Sequence, residues 1–205
     1  MTDTFLEVTA GSGVKLHTHS KSVSGSTVHD EVIVHGEPQL AAYVVANTSA
    51  ISFATANSHL LQVMAGASLK VRLRRLRVYQ MGMATTATVG QIGLYRLSTA
   101  GTGGTSYTPQ LMDPGDAAAG ATGMTLPTGK GTEGAVLWMG SVYLMQTVGA
   151  SAQLNEPIID LDWDKLRLKA PVISAGTANG LALKNVTGIA GATVFVVADI
   201  EEASY

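Results

Sequence analysis

The chain has 205 residues, a formal net charge of −2 and no cysteine, which is length enough for one domain with a real core and excludes disulfides, thiolate metal sites and a cysteine nucleophile. A charge so close to zero sets up no global field for nucleic acid or an anionic membrane, and no apolar stretch approaches the roughly 20 residues of a membrane helix. Charged residues are 14% of the chain and glycines number 23, against about 25% charged in an average soluble domain, a composition that suits a subunit of an assembly better than a free enzyme.

Residues 1–36 are polar and rich in Ser, Thr and His, and are expected to form an N-terminal arm. The opening MTDTFLEVTAGSG lacks the basic and apolar regions of a secretion signal. His17 and His19 would point the same way on a strand, and a three-fold axis would bring copies of them onto one metal. A polar arm with scattered histidines, His29 and His35 among them, is the competing reading, and no cofactor is expected.

From residue 37 to 205 the chain reads as one β domain. Helical periodicity is nearly absent. Strand patterns recur at 31–34, 40–46, 51–54, 60–64, 69–80, 89–97, 136–145, 158–169, 172–174, 181–186 and 193–200. Turn residues separate them, and Asn179-Gly180 predicts a type I′ hairpin because both residues tolerate positive φ. Many short strands with Gly-rich turns predict an all-β antiparallel sandwich, jelly-roll-like.

The strand LKVRLRRLRVYQ, residues 69–80, holds five of the thirteen Lys and Arg residues. Leu69, Val71 and Leu73 alternate with Lys70, Arg72 and Arg74; Leu76 and Val78 then alternate with Arg75 and Arg77. The one-residue slip at Arg74-Arg75 predicts a β-bulge that keeps the apolar set inward. In PIIDLDWDKLRLK, residues 157–169, Ile159, Leu161 and Trp163 alternate with Asp160, Asp162 and Asp164, and Leu166 and Leu168 are expected to continue the apolar set after a second slip. The cationic and anionic rows are expected to face each other, within a subunit or between neighbours, which makes Lys70, Arg72, Arg74, Arg75, Arg77, Asp160, Asp162 and Asp164 the candidate interface residues. Such pairs contribute about 0.2–1 kcal/mol each and set partner choice more than affinity. A plain solvated face is the alternative. Nucleic-acid contact is disfavoured, since only Tyr79 supplies an aromatic nearby.

No other motif proposes a reaction. Asp160-x-Asp162-x-Asp164 is not a calcium loop, because Lys165 stands where glycine is needed. Gly101-Thr102-Gly103-Gly104 is followed by no helix pattern, and Gly129-Lys130-Gly131-Thr132 misses the phosphate-binding loop at both ends. No Gly-x-Ser-x-Gly elbow occurs, so no catalytic residue is assigned. The remaining oddity is 98–134, STAGTGGTSYTPQLMDPGDAAAGATGMTLPTGKGTEG, expected to be one long loop. Loops beyond about 15 residues are uncommon and usually functional or disordered.

The run LRVYQMGMATTATVGQIGLYRLSTAGTGGTSYTPQLMDPGDAAAGATG resembles virion structural proteins of tailed bacteriophages. The likeness lies in the Arg-rich strand ending in Gln80, in Leu94-Tyr95-Arg96-Leu97 running into Thr99-Ala100-Gly101-Thr102-Gly103-Gly104-Thr105, and in Asp113-Pro114-Gly115-Asp116 followed by Ala and Thr. It spans about residues 37–145 and brings no catalytic motif. It implies a capsid decoration protein made in the host bacterial cytoplasm and carried on the outer capsid surface. The expected partners are the major capsid protein and further copies of the chain, as a trimer, with neither nucleic acid nor membrane. The alternatives are a tail, spike or baseplate component, or a carbohydrate-binding surface using Tyr107, Trp138, Tyr143 or Trp163.

Overall fold

A computed structural model describes residues 18–23, 26–31, 40–146 and 156–203. Residues 1–39 and 40–205 form two separate compact units. In the first, strand β1 (Thr18–Val23) pairs antiparallel with β2 (Ser26–Glu31), with His19 opposite Asp30 and His29 opposite Ser20. The described part of the expected arm is therefore a hairpin. Of the candidate metal pair, His17 lies outside the described residues and His19 is placed only by its register.

The second unit contains β3 (Ala41–Ala46), β4 (Ile51–Ser52), β5 (Ser58–Met64), β6 (Lys70–Gly82), β7 (Thr88–Leu97), β8 (Thr105–Tyr107), β9 (Gln110–Leu111), β10 (Thr122–Thr125), β11 (Glu133–Leu144), β12 (Ile159–Asp162), β13 (Val172–Ile173), β14 (Gly180–Asn185) and β15 (Thr193–Ala203). There is no helix among the described residues. The strands form two antiparallel sheets that do not close into a barrel. One runs β11-β7-β14-β5-β10-β8; the other runs β12-β6-β15-β3-β9, with β13 beside β6 and β4 beside β15.

The connectivity follows a simple rule. Among the longer strands, the first pairs with the last (β3 with β15), the second with the second-last (β5 with β14), then β6 with β12 and β7 with β11. The chain runs out, turns back at the segment between β7 and β11, and pairs with itself all the way home. Each outgoing step changes sheet, so the two sheets enclose one core.

Alternation places that core. On β15, Val194, Val196, Ala198 and Ile200 are buried, and on β6 so are Val71, Leu73, Leu76 and Val78. They join one cluster with Leu61, Val63, Leu181 and Leu183 of the other sheet. The void left among these side chains is only about 10 Å³, at most the room for one water.

The bulge lies where the sequence places it. Leu73 faces Ile200 and Arg75 faces Asp199, leaving Arg74 as the extra residue. Three local expectations are corrected. The strand expected over 158–169 ends at Asp162, because Asp162 Oδ1 accepts the Lys165 N–H at 3.1 Å and its carbonyl accepts the Leu166 N–H at 2.9 Å. The chain turns there, and Leu166 and Leu168 are exposed instead of continuing the inward set. Asn179-Gly180 is no hairpin turn, since β13 pairs with β6 while β14 pairs with β5 and β7. Gly180 is there for close approach: a Cβ would collide with Met64 Sδ and sit 2.8 Å from the Val63 carbonyl. The 98–134 segment is not one loop either, for it contributes β8 and β10 to one sheet and β9 to the other.

Candidate functional site

The charged rows do meet, and they meet inside one chain. In the antiparallel register of β12 on β6, Asp160 is opposite Arg77 and Asp162 opposite Arg75. The side chains engage diagonally: Arg75 grips Asp160 through Nε and Nη2, both at 2.7 Å. Arg74, thrown outward by the bulge, donates to Asp164 Oδ2 at 2.6 Å and to Glu201 Oε1 at 2.8 Å. Arg72 reaches the other oxygen of Asp164 at 3.3 Å, and Arg77 reaches Asp199 at 2.8 Å. Lys70 stands at the end of the same row, opposite Ala203.

These contacts fix the charge states. The hydrogen bonds and positive charge of Arg75 hold Asp160 below the usual carboxylate range, and Arg74 does the same for Asp164. The eight sequence-derived residues are thus brought to one face of one sheet. Two more acids complete it, Asp199 and Glu201 of β15. Their alternation with Ala198 and Ile200 is the same period-two signal that exposed the other rows.

A second polar constellation lies on the outer face of the other sheet, beneath the segment between β7 and β11. His59 and Gln62 of β5 are fully buried. Gln62 Oε1 accepts the Gly101 N–H at 2.9 Å, and its Nε2 donates to the Lys130 carbonyl and to His59 Nδ1, both at 2.6 Å. The two backbone partners fix the amide's orientation, so Nδ1 must be an acceptor and the imidazole proton sits on Nε2. That nitrogen donates to Glu133 Oε1 at 3.0 Å. Glu133 also accepts from Lys184 at 2.8 Å, and Lys184 lies 5.0 Å from the centre of the Tyr95 ring. Burial lowers the His59 pKa, against the opposing pull of Glu133. Burial pushes Glu133 up, but hydrogen bonds from Lys184 and His59 outweigh it and leave the acid below its ordinary value.

The segment is held at its far side as well. Glu202, buried on β15, accepts the Gly120 N–H at 3.0 Å and the Ala121 N–H at 2.5 Å. Tyr43 donates to the Ala117 carbonyl at 2.9 Å. Asp113-Pro114-Gly115-Asp116 closes on itself, with the Gly115 N–H donating to Asp113 Oδ1 at 2.8 Å. Sequence reading missed this clamp. The available signal was one polar residue, Gln62, inside the apolar run Leu60-Leu61-Gln62-Val63.

Gln62 and Glu202 spend their hydrogen bonds on main-chain groups of the clamped segment, and His59 has both nitrogens engaged. No group of three or more His, Asp or Glu side chains among the described residues is placed to hold a metal. A scan against protein-family models finds no match, and comparisons with curated proteins and with solved structures find none either.

Proposed function

We propose that this protein is a non-enzymatic structural component of a tailed-phage virion, a capsid decoration protein that binds the major capsid protein on the outer shell as a homotrimer. The observation that carries the reading is the strand scheme. Pairing first with last, with strand orders β3-β15-β6-β12 and β5-β14-β7-β11 at the heart of the two sheets, is what an eight-stranded jelly-roll sandwich requires, and such folds recur in viral capsid and lectin domains. It joins the sequence resemblance over residues 37–145.

The chemistry fits a passive, durable part. The interior is packed, the arginine row is neutralised within the chain, and the long segment between β7 and β11 is clamped into a fixed shape. That segment and residues 1–36 are the proposed contacts to the shell, many weak contacts summing through repetition. Self-association is proposed through β11, an edge strand whose Val136, Met139 and Tyr143 are 48%, 49% and 60% exposed, since contiguous exposed apolar surface marks interfaces. The charged face of β6 and β12 is the proposed seam with neighbouring subunits.

The test is to mix purified protein with shells that lack it. Saturable attachment at a fixed ratio to the capsid subunits, with raised resistance of the shells to heat, is the expected result. Attachment to tails instead of shells, or none to either, would overturn the reading.

A further inference from the structure

One concave surface is left unexplained by the charge network and the clamp. A cleft of about 890 Å³ opens between the start of β6, the end of β7 and the chain leading into β13. Four cations line it: Lys70, Arg72, Arg96 and Lys169. No carboxylate does. Arg96 gives one N–H to the Val172 carbonyl at 2.8 Å. Among the described residues, neither Arg96 nor Lys169 has a carboxylate within salt-bridge distance.

The walls between the cations are aliphatic. Leu168 is 61% exposed and Leu137 is 37% exposed. Leu137 reaches the cleft because it is the extra residue of a bulge, between Val136 opposite Tyr95 and Trp138 opposite Leu94. Pro171 and Val172 add further apolar surface. Exposed leucines beside Arg96 and Lys169, neither of which faces a carboxylate among the described residues, suit a partner that brings acidic and apolar groups together.

We propose that this cleft takes an acidic, aliphatic-rich peptide segment of the protein to which the molecule docks. The inference rests on the docking role above and adds to it a surface and a ligand chemistry. A single phosphate leaves most of such a volume empty and wets the leucines. Single-stranded nucleic acid needs an exposed aromatic on which bases stack, and the one aromatic in the lining, Trp163, is only 7% exposed. An extended peptide alternating carboxylates with leucine or valine satisfies both the cations and the apolar walls. Arg96 and Lys169 carry the recognition, since Arg72 already serves Asp164 and Glu201.

The experiment titrates the whole protein with an acetylated hexapeptide of alternating Glu and Leu, followed by amide NMR and calorimetry. Alternating Lys-Leu hexapeptide, inorganic phosphate and oligothymidylate serve as comparisons. The expected result is saturable binding that shifts the amides of Leu137, Arg96 and Lys169 and weakens as salt rises. The double variant Arg96→Gln, Lys169→Gln should weaken binding by about tenfold or more with a nearly unchanged melting temperature, because the one bond it removes, from Arg96 to the Val172 carbonyl, is solvent-exposed. Binding elsewhere, no saturation, equal binding of the Lys-Leu peptide, phosphate or oligothymidylate, or an unaffected double variant would each overturn the proposal. If shells attach normally while the peptide does not bind, the cleft assignment alone fails. If the peptide binds while shells do not attach, the virion role alone fails.

Discussion

His59 shows how much one residue can hold in place. Its ring is fully buried, accepts from Gln62 and donates to Glu133. Protonating Nδ1 would set an N–H against the Gln62 amide N–H, and that amide cannot turn over without abandoning Gly101 and Lys130. The folded state therefore resists the second proton, and the His59 pKa lies below the unfolded value of 6.5. The sign follows: the unfolded chain binds more protons below 6.5, so this contribution to stability is fully present above that pH and is lost as pH falls through the folded pKa. Glu133, also held low, loses its contribution in the same direction at more acid pH. Melting temperature should fall as pH drops from 7.5 to 5, and the fall should flatten in His59→Gln, which keeps a hydrogen-bonding group but cannot titrate there. An equally steep fall in the variant would remove His59 as the cause.

Gln62→Leu asks a different question of the same clamp. It strands the Gly101 N–H, the Lys130 carbonyl and His59 Nδ1, at about 1–3 kcal/mol for each buried group left unsatisfied. Partial relaxation toward water should bring the total to about 2–5 kcal/mol by urea unfolding. Gly101→Ala should act on the same point, because its Cβ would lie 2.8 Å from the Gln62 amide and 2.7 Å from the Gly129 carbonyl. Amide exchange in 98–132 should rise in both variants before exchange in β5 or β14 does.

At the level of elements, β6 and its two neighbours form a laminate of charge. Each pair is partly exposed and individually modest, about 0–1 kcal/mol, so Arg75→Ala should be a mild change. Reversal is different. Arg72→Glu with Arg74→Glu sets two new carboxylates beside Asp164 and Glu201, and Glu201 is buried with one oxygen already lacking a hydrogen bond. Destabilisation of about 2–4 kcal/mol is expected at low salt, less at high salt, measured by urea unfolding. Loss of a few tenths only would mean that the face is simply solvated.

The same strands show what a sequence exposes and what it hides. Period-two alternation revealed β6, its bulge and the acidic row of β12, since burial on one face leaves that signature whatever the partner. It misled after Asp162: Leu166 and Leu168 keep the alternation of a strand, while the turn there depends on an aspartate capping its own backbone and on Arg167 at φ 54°. Strands β8, β9 and β10 were hidden for the opposite reason. They are only two to four residues long, TSY, QL and TGMT, too short to show an apolar period, and what places them is pairing remote in sequence: β10 on β5, β8 on β10 and β9 on β3.

For the whole molecule, the pairing of first strand with last makes the core a product of long-range contacts. Leu76 and Ile200 lie at its centre, each about 1% exposed. Leu76→Ala should cost about 2–5 kcal/mol, and with almost no void to absorb the change the value should lie in the upper half. A body built on such non-local pairing is slow to form. The charged face of β6 and β12, the clamped segment and the basic cleft all belong to that one two-sheet body.

The most direct measurement is electron cryomicroscopy of shells assembled from the major capsid protein of the same genome, with and without this protein added. The account expects added density at fixed positions of the outer lattice, in three-fold groups, into which the two-sheet body fits. Shells that remain bare at saturating protein, or density confined to the tail, would contradict it.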